Sequence, residues 1–247
     1  MNKIEMILAE RRFISTHPKN QLEKYLAAGK KVIGCMPYYC PEELVYAAGM
    51  VPFGLWGAEV QVSEAKRYFP SFICSMLQTT LELGIKGEFN RLTAVMIPIL
   101  CDSLKNMDAN WRYGVKDVPV IPVAHAQNRK IPAGVTFTAS QYRKIQKQLE
   151  ALSGTNISDK AIADAVNVYN QRRAVMRRFL AAAGRHTELV SASDRNAVIK
   201  SSFFLDAPAH AEKVLELTEL LEQAPEAGWN GPKVVITGIT ADYTGLL

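Results

Sequence analysis

Four cysteines, at positions 35, 40, 74 and 101, are the residues with the clearest chemical potential in this 247-residue chain. A thiolate binds soft metals and iron–sulfur clusters, and it also serves as a nucleophile or redox partner. The spacing excludes the compact options. No C-x-x-C pair occurs, so neither a zinc ribbon nor a thioredoxin-like site is indicated. The gaps match no short iron–sulfur motif either. Each cysteine taken alone also reads as a small buried apolar residue. What the four share is their place relative to the elements around them.

The first half of the chain reads as alternating strands and helices. A helical segment over 3–29 breaks near His17-Pro18, and 31–34 is a short strand. Pro41-Glu42-Glu43 opens a helix, with proline at an early position and acids at the positive end of the helix dipole. Gly49 ends it, and the apolar run 50–56 is a second strand. A helix from near Ser71 to Gly84 precedes the nearly unbroken apolar run 92–100, which suits a strand buried on both faces. A helix capped by Asp102 or Ser103 runs to Gly114, and 118–123 is a fourth strand. This order predicts an α/β fold with a mostly parallel sheet covered by helices on both faces.

All four cysteines then fall in strand-to-helix connections or first helical turns. In an open parallel sheet these connections gather at the carboxyl ends of the strands, where ligands bind. Cysteines distant in sequence can converge there. Helix starts also offer free N–H groups and partial positive charge, which favour thiolate and can donate to cluster sulfides.

The second half changes character. Tyr142, Ile145, Leu149 and Leu152 draw one helical stripe, and Ser158 caps a long helix ending near Gly184. Ser191 opens a third helix, and Val214, Leu217, Leu220 and Leu221 mark a fourth. Residues 233–237 read as a strand. The expected organisation is an α/β domain over 1–135, a helical segment over 136–230, and the first strand of a second α/β domain over 231–247, cut short at Leu247.

Composition is that of a soluble globular protein. The net charge is +5 with basic residues scattered, so nucleic acid is not an expected partner. The cluster Arg172, Arg173, Arg177 and Arg178 reads as a solvated helix face, with an anion patch as the alternative. No apolar run reaches membrane-spanning length, and the N-terminus lacks a signal-peptide core, so a cytoplasmic location is expected.

The cysteine-bearing stretches resemble a known family. They are Gly34-Cys35-Met36-Pro37-Tyr38-Tyr39, then Pro41-Glu42-Glu43-Leu44-Val45-Tyr46-Ala47-Ala48-Gly49-Met50-Val51-Pro52, then Ser71-Phe72-Ile73-Cys74 and Pro98-Ile99-Leu100-Cys101-Asp102. With residues 120–127, 164–170 and 233–238 they resemble the 2-hydroxyacyl-CoA dehydratase and benzoyl-CoA reductase superfamily. The likeness is greatest to the β subunits of (R)-2-hydroxyglutaryl-CoA dehydratases.

The resemblance implies a heterodimer with a homologous α subunit and oxygen-sensitive [4Fe-4S] clusters, each held by three cysteines. It implies a separate ATP-dependent iron–sulfur activator that injects one electron. The acyl-CoA substrate then loses its 2-hydroxyl group through a ketyl radical and becomes an enoyl-CoA. Carried over by motif, Cys74 and Cys101 match two cluster ligands. The third is expected beyond Leu247, with Cys35 as a weaker candidate, and Cys40 is read as incidental. Glu42 or Glu43 handles a proton or merely suits the helix start. His125 stands on the expected edge as a site or structural histidine, and Tyr38 and Tyr39 wall a cavity or pack. Flavin binding is left open. The alternatives are a benzoyl-CoA reductase-type subunit and a cluster-free scaffold.

Overall fold

The structure, a computed structural model, describes residues 2–226 together with 231, 232, 234, 235 and 242. In chain order the elements are α1 (Lys3–Thr16), α2 (Pro18–Ala27), β1 (Val32–Cys35), α3 (Glu42–Ala47), β2 (Val51–Gly54), α4 (Ser75–Ile85), β3 (Ala94–Ile99), α5 (Asp102–Gly114), β4 (Val120–Ala124), α6 (Pro132–Ser153), α7 (Asp159–Arg185), α8 (Ala192–Ser201) and α9 (Ala207–Gln223). The strand expected at 233–237 falls largely outside the described residues. Among those described, no helix is long and apolar enough to cross a membrane.

Among the described residues, four strands form one parallel sheet in the order β2-β1-β3-β4, the expected α/β class. The order follows from handedness. A right-handed crossover from β1 through α3 reaches β2 on one side, and the next two crossovers return the chain past β1 to β3 and β4. Reversing direction puts α3 on one face and the α4–α5 pair on the other. Ile33, Cys35, Ala94, Met96, Ile121 and Val123 pack against Leu44 and Val45 of α3 and Ile145 and Leu149 of α6. These strand positions alternate, as the pleat requires. The central strand is buried on both faces, as its apolar run predicts.

Local chemistry sets several boundaries. Gly49 takes φ 70° in the turn after α3, a left-handed conformation that glycine adopts without penalty. The chain enters α4 at Ser75 rather than near Ser71. The carbonyl of Ile73 instead accepts from the Gln78 side-chain amide at 2.7 Å. At the far end of α6, Gly154 is left-handed at φ 79°, and the Lys31 ammonium donates to the carbonyls of Leu152 and Ser153 at 2.8 and 3.1 Å. A cation there complements the negative end of the helix dipole.

The chain divides into two compact units. Residues 24–165 hold the sheet with α3 to α6. Residues 1–23 and 166–247 hold α1, α8, α9 and most of α7. α1 packs with the C-terminal helices. Ile7 and Leu8 of α1 join Phe179, Ala182, Val198, Val214, Leu217 and Leu221 in one core. Ser191 and Asp194 form a reciprocal capping box at the start of α8. The arginines of α7 are largely engaged. Arg178 pairs with Glu222, Arg172 donates to the Ser202 carbonyl at 3.1 Å and lies over the Tyr169 ring, and Arg173 reaches Asn170.

Two outcomes test this packing. A Cβ added at Gly84 would lie 2.9 Å from a Val115 methyl and 3.0 Å from the Trp111 ring. Gly84→Ala is therefore expected to cost about 1–3 kcal/mol, read from urea unfolding. In the helical unit, His210 is fully buried. Its Nε2 lies 3.0 Å from the Val198 carbonyl, and among the described residues its Nδ1 has no hydrogen-bond partner. Burial, only partly offset by that carbonyl, pushes its pKa down to about 3. Between pH 6.5 and 3 the unfolded chain takes up a proton that the folded one refuses. Stability is then complete above pH 6.5 and falls on acidification, with a slope approaching about 1.4 kcal/mol per pH unit. His210→Phe should flatten that slope, measured as the pH dependence of hydrogen exchange in α8 and α9.

Candidate functional site

Cys74 is the N-cap of α4 and Cys101 the N-cap of α5. Both side chains are exposed. Each helix follows a strand-to-helix connection, so both start at the carboxyl edge of the sheet and run the same way. The two helices pack side by side: a Cβ at Gly84 of α4 would meet the Trp111 ring and the Val115 methyl of α5. Neither cysteine makes a side-chain capping bond, which leaves both sulfurs available.

Polar side chains hold the approach to Cys74. Besides Ile73, the Gln78 amide reaches the Ser71 carbonyl at 3.4 Å. Farther along α4, Glu82 is fully buried. Its carboxylate accepts from the Ser63 and Ala65 N–H groups at 3.1 and 2.8 Å and from the Ser63 hydroxyl at 2.7 Å, and it pairs with Lys86 at 2.8 Å. Burial raises its pKa, but the Ala65 amide, Lys86 and Ser63 together outweigh this and bring it down to about 2. Glu82 thus ties the long β2–α4 connection to the helix that carries Cys74. Its sequence signal was slight, a glutamate with a lysine four residues on.

The other two cysteines have a different environment. Cys35 is at the end of β1, buried in the sheet core, and donates weakly to the Ile33 carbonyl at 3.6 Å. The adjacent Cys40 sulfur, burial and the charge of Glu42 push its pKa well up, so it stays a thiol. Cys40 donates to the Met36 and Met96 carbonyls at 3.3 and 3.6 Å. Cys74 and Cys101 are therefore exposed, while Cys35 and Cys40 pack inward.

Glu42 and Glu43 are the first two residues of α3 and are partly buried. Glu43 lies close enough to Tyr142 for its charge to join burial in raising the tyrosine's pKa. His125 follows β4. Its Nε2–H donates to the Tyr39 carbonyl at 2.9 Å, and its ring meets those of Tyr39 and Tyr142 edge-on. Tyr38 packs edge-on against Trp56 with ring centres 6.0 Å apart.

The donor set suits soft-metal chemistry, since two exposed thiols cap the starts of two packed helices. It is not a complete set. Among the described residues, no group of three or more His, Cys, Asp or Glu side chains gathers to hold a metal. These residues fit one side of a thiolate-held cluster, and further ligands would come from elsewhere.

An α/β domain with two exposed thiols at its strand-to-helix edge is the class defined so far. The comparisons with known proteins specify it. Residues 37–246 match the family described as 2-hydroxyglutaryl-CoA dehydratase, D-component, and the chain belongs to that family. It is 43% identical over 95% of its length to the (R)-phenyllactyl-CoA dehydratase beta subunit of Clostridium sporogenes, covering 63% of that protein. It is 42% identical over 99% of its length to the (R)-2-hydroxyglutaryl-CoA dehydratase subunit beta of Acidaminococcus fermentans, covering 65%. To the lactoyl-CoA dehydratase subunit beta of Anaerotignum propionicum it is 37% identical over its whole length, covering 66%. The chain thus spans just under two thirds of the length of these relatives.

Glu82 supplies the test of the scaffold around Cys74. Glu82→Gln is expected to lower stability by about 1.5–3 kcal/mol, the usual worth of hydrogen bonds to a charged group. Because the folded pKa lies below the unfolded one, this contribution is present above about pH 4.5 and is lost as pH falls toward 2. Urea midpoints at pH 7 and pH 3 should therefore differ less in the variant than in the parent.

Proposed function

We propose that this chain is the part of a 2-hydroxyacyl-CoA dehydratase β subunit that contributes Cys74 and Cys101 to a [4Fe-4S] cluster. The observation that carries the reading is the exposure of both thiols at the N-caps of the two packed helices α4 and α5. The names of the relatives support the enzyme class. The overall reaction is removal of water from an (R)-2-hydroxyacyl-CoA, 2-hydroxyglutaryl-CoA above others, to give the enoyl-CoA by way of a substrate ketyl radical. Partners would be a homologous α subunit and an ATP-dependent iron–sulfur activator, in the cytoplasm.

An iron–sulfur cluster, when bound, supplies one-electron chemistry. That chemistry is needed because the thioester carbonyl does not acidify the β-C–H bond, so proton transfer alone does not achieve the elimination. The chain's own residues have narrower tasks. Cys74 and Cys101 bind through sulfur. Phe72, 84% exposed, and Leu100, 39% exposed, flank them with apolar surface that excludes water once covered. Glu42 and Glu43, at the start of α3 on the same edge, are placed to hold a proton on a carboxylate oxygen. Cys35, kept protonated in the core, serves packing.

The test is the iron and acid-labile sulfide content of the enzyme complex purified without oxygen. Cys74→Ser and Cys101→Ser should each lose at least half of the iron bound by this subunit and bleach its brown colour, whereas Cys40→Ser keeps both. Full iron content in both serine variants would remove the ligand assignment. Elimination from 2-hydroxyglutaryl-CoA, assayed with activator and ATP, should fall with the iron.

A further inference from the structure

We propose that the cavity between the β1–α3 loop and the β4–α6 connection is a binding subsite for a small organic carboxylate. The cavity has a volume of about 240 Å³ and is lined by Tyr39, Ile99, Leu100, His125, Gln127 and Arg129, with Ala126 between His125 and Gln127. Ligand pockets usually measure about 300–1,000 Å³, so this one takes a small molecule or one end of a larger one. It lies beside the sheet's switch point. The chain leaves β1 toward β2 and later passes β1 to reach β3, and the crevice at such a reversal is where open α/β sheets bind ligands.

The lining chooses the ligand. Ile99, Leu100 and Ala126 give an apolar wall. Arg129 brings a permanent positive charge, and no acidic side chain lines the cavity. The guanidinium lies 5.6 Å from the centre of the Tyr39 ring, and among the described residues it has no carboxylate partner. A planar guanidinium over an aromatic face keeps its N–H fork free for a carboxylate. The Gln127 amide adds a second donor. An anion with a short apolar body satisfies both the wall and the charge, whereas a bare inorganic anion leaves the wall unused.

The site is built in advance. Tyr39 holds φ 68°, a conformation uncommon for residues other than glycine. The His125 N–H fixes its carbonyl at 2.9 Å. The loop carrying Arg129 is pinned as well. Asn128 accepts from the Lys130 N–H at 3.1 Å through its side chain, and a Cβ at Gly134 would lie only 2.0 Å from the Asn128 carbonyl oxygen. Only glycine at 134 lets the loop fold this closely onto the start of α6.

The experiment is an NMR titration of amide resonances in the 247-residue chain, with glutarate as the carboxylate, glutaramide as its neutral counterpart and inorganic phosphate as the bare anion. Glutarate should shift the amides of Tyr39, Leu100, Gln127 and Arg129 together. Arg129→Gln should raise its dissociation constant about tenfold or more, as expected for a lost charge-assisted hydrogen bond. Gly134→Ala keeps Arg129 but displaces its loop, and it should weaken binding several-fold. Circular dichroism establishes that each variant is folded. Glutaramide binding as tightly as glutarate, or Arg129→Gln binding unchanged, would overturn the proposal. Phosphate matching glutarate would overturn the carboxylate assignment. The titration needs no iron, so its failure and that of the cluster reading are distinguishable.

Discussion

At Gly84 the backbone of α4 comes so close to the Trp111 ring and the Val115 methyl of α5 that a single added carbon has no room. The indole is fully buried, and its N–H donates to the Val118 carbonyl at 3.1 Å, which anchors α5 to the segment entering β4. Two helices locked together in this way hold their starts, at Cys74 and Cys101, in a fixed relation some fifteen ångströms away, at about 1.5 Å of rise per residue. A cluster bridging two helix starts requires such rigidity, since metal–thiolate distances tolerate little variation.

The parallel sheet does the rest of the positioning. Because every strand runs one way, every strand-to-helix connection opens on the same edge. The β1–α3 loop with Tyr38 and Tyr39, the β3–α5 junction with Leu100 and Cys101, and the β4–α6 segment with His125 and Arg129 are brought together there. Buried polar groups then stiffen connections that a sheet alone would leave loose. Glu82 holds Ser63 and Ala65, Gln78 holds Ile73, and His125 holds Tyr39. The Ala65–Glu82 bond is buried, and losing one partner there would leave the other buried and unsatisfied. The rigidity of the edge therefore comes with the folding of the unit as a whole.

Much of the architecture was legible because it depends on periodicity. The apolar run through Ala94–Ile99 can satisfy its neighbours only as a strand covered on both faces, and the Ser191–Asp194 pair is a local cap that needs no tertiary contact. Other features were not legible because they depend on what lies across space. Ser71 looks as good a helix start as Ser75, until Gln78 folds back on Ile73. Glu82 looks like a surface residue until the β2–α4 loop wraps over it. Arg129 lies in a polar loop with nothing local to suggest a cavity.

The sequence by itself determined the alternation of strands and helices, the parallel class, the family, and the presence of thiols at strand-to-helix junctions. Those properties rest on neighbours within a few residues and on motifs that are contiguous in the chain. Only the tertiary structure decided which thiols face outward. Cys35 ends a strand and Cys40 precedes a helix, yet both turn into the core, where burial and mutual proximity keep Cys35 protonated. Cys74 and Cys101 sit at helix caps with their side chains exposed. The difference is one of pleat direction and helix contact, quantities set by residues far away in sequence. The same holds for α1, whose amphipathic pattern does not say that its partners are α8 and α9 at the other end of the chain.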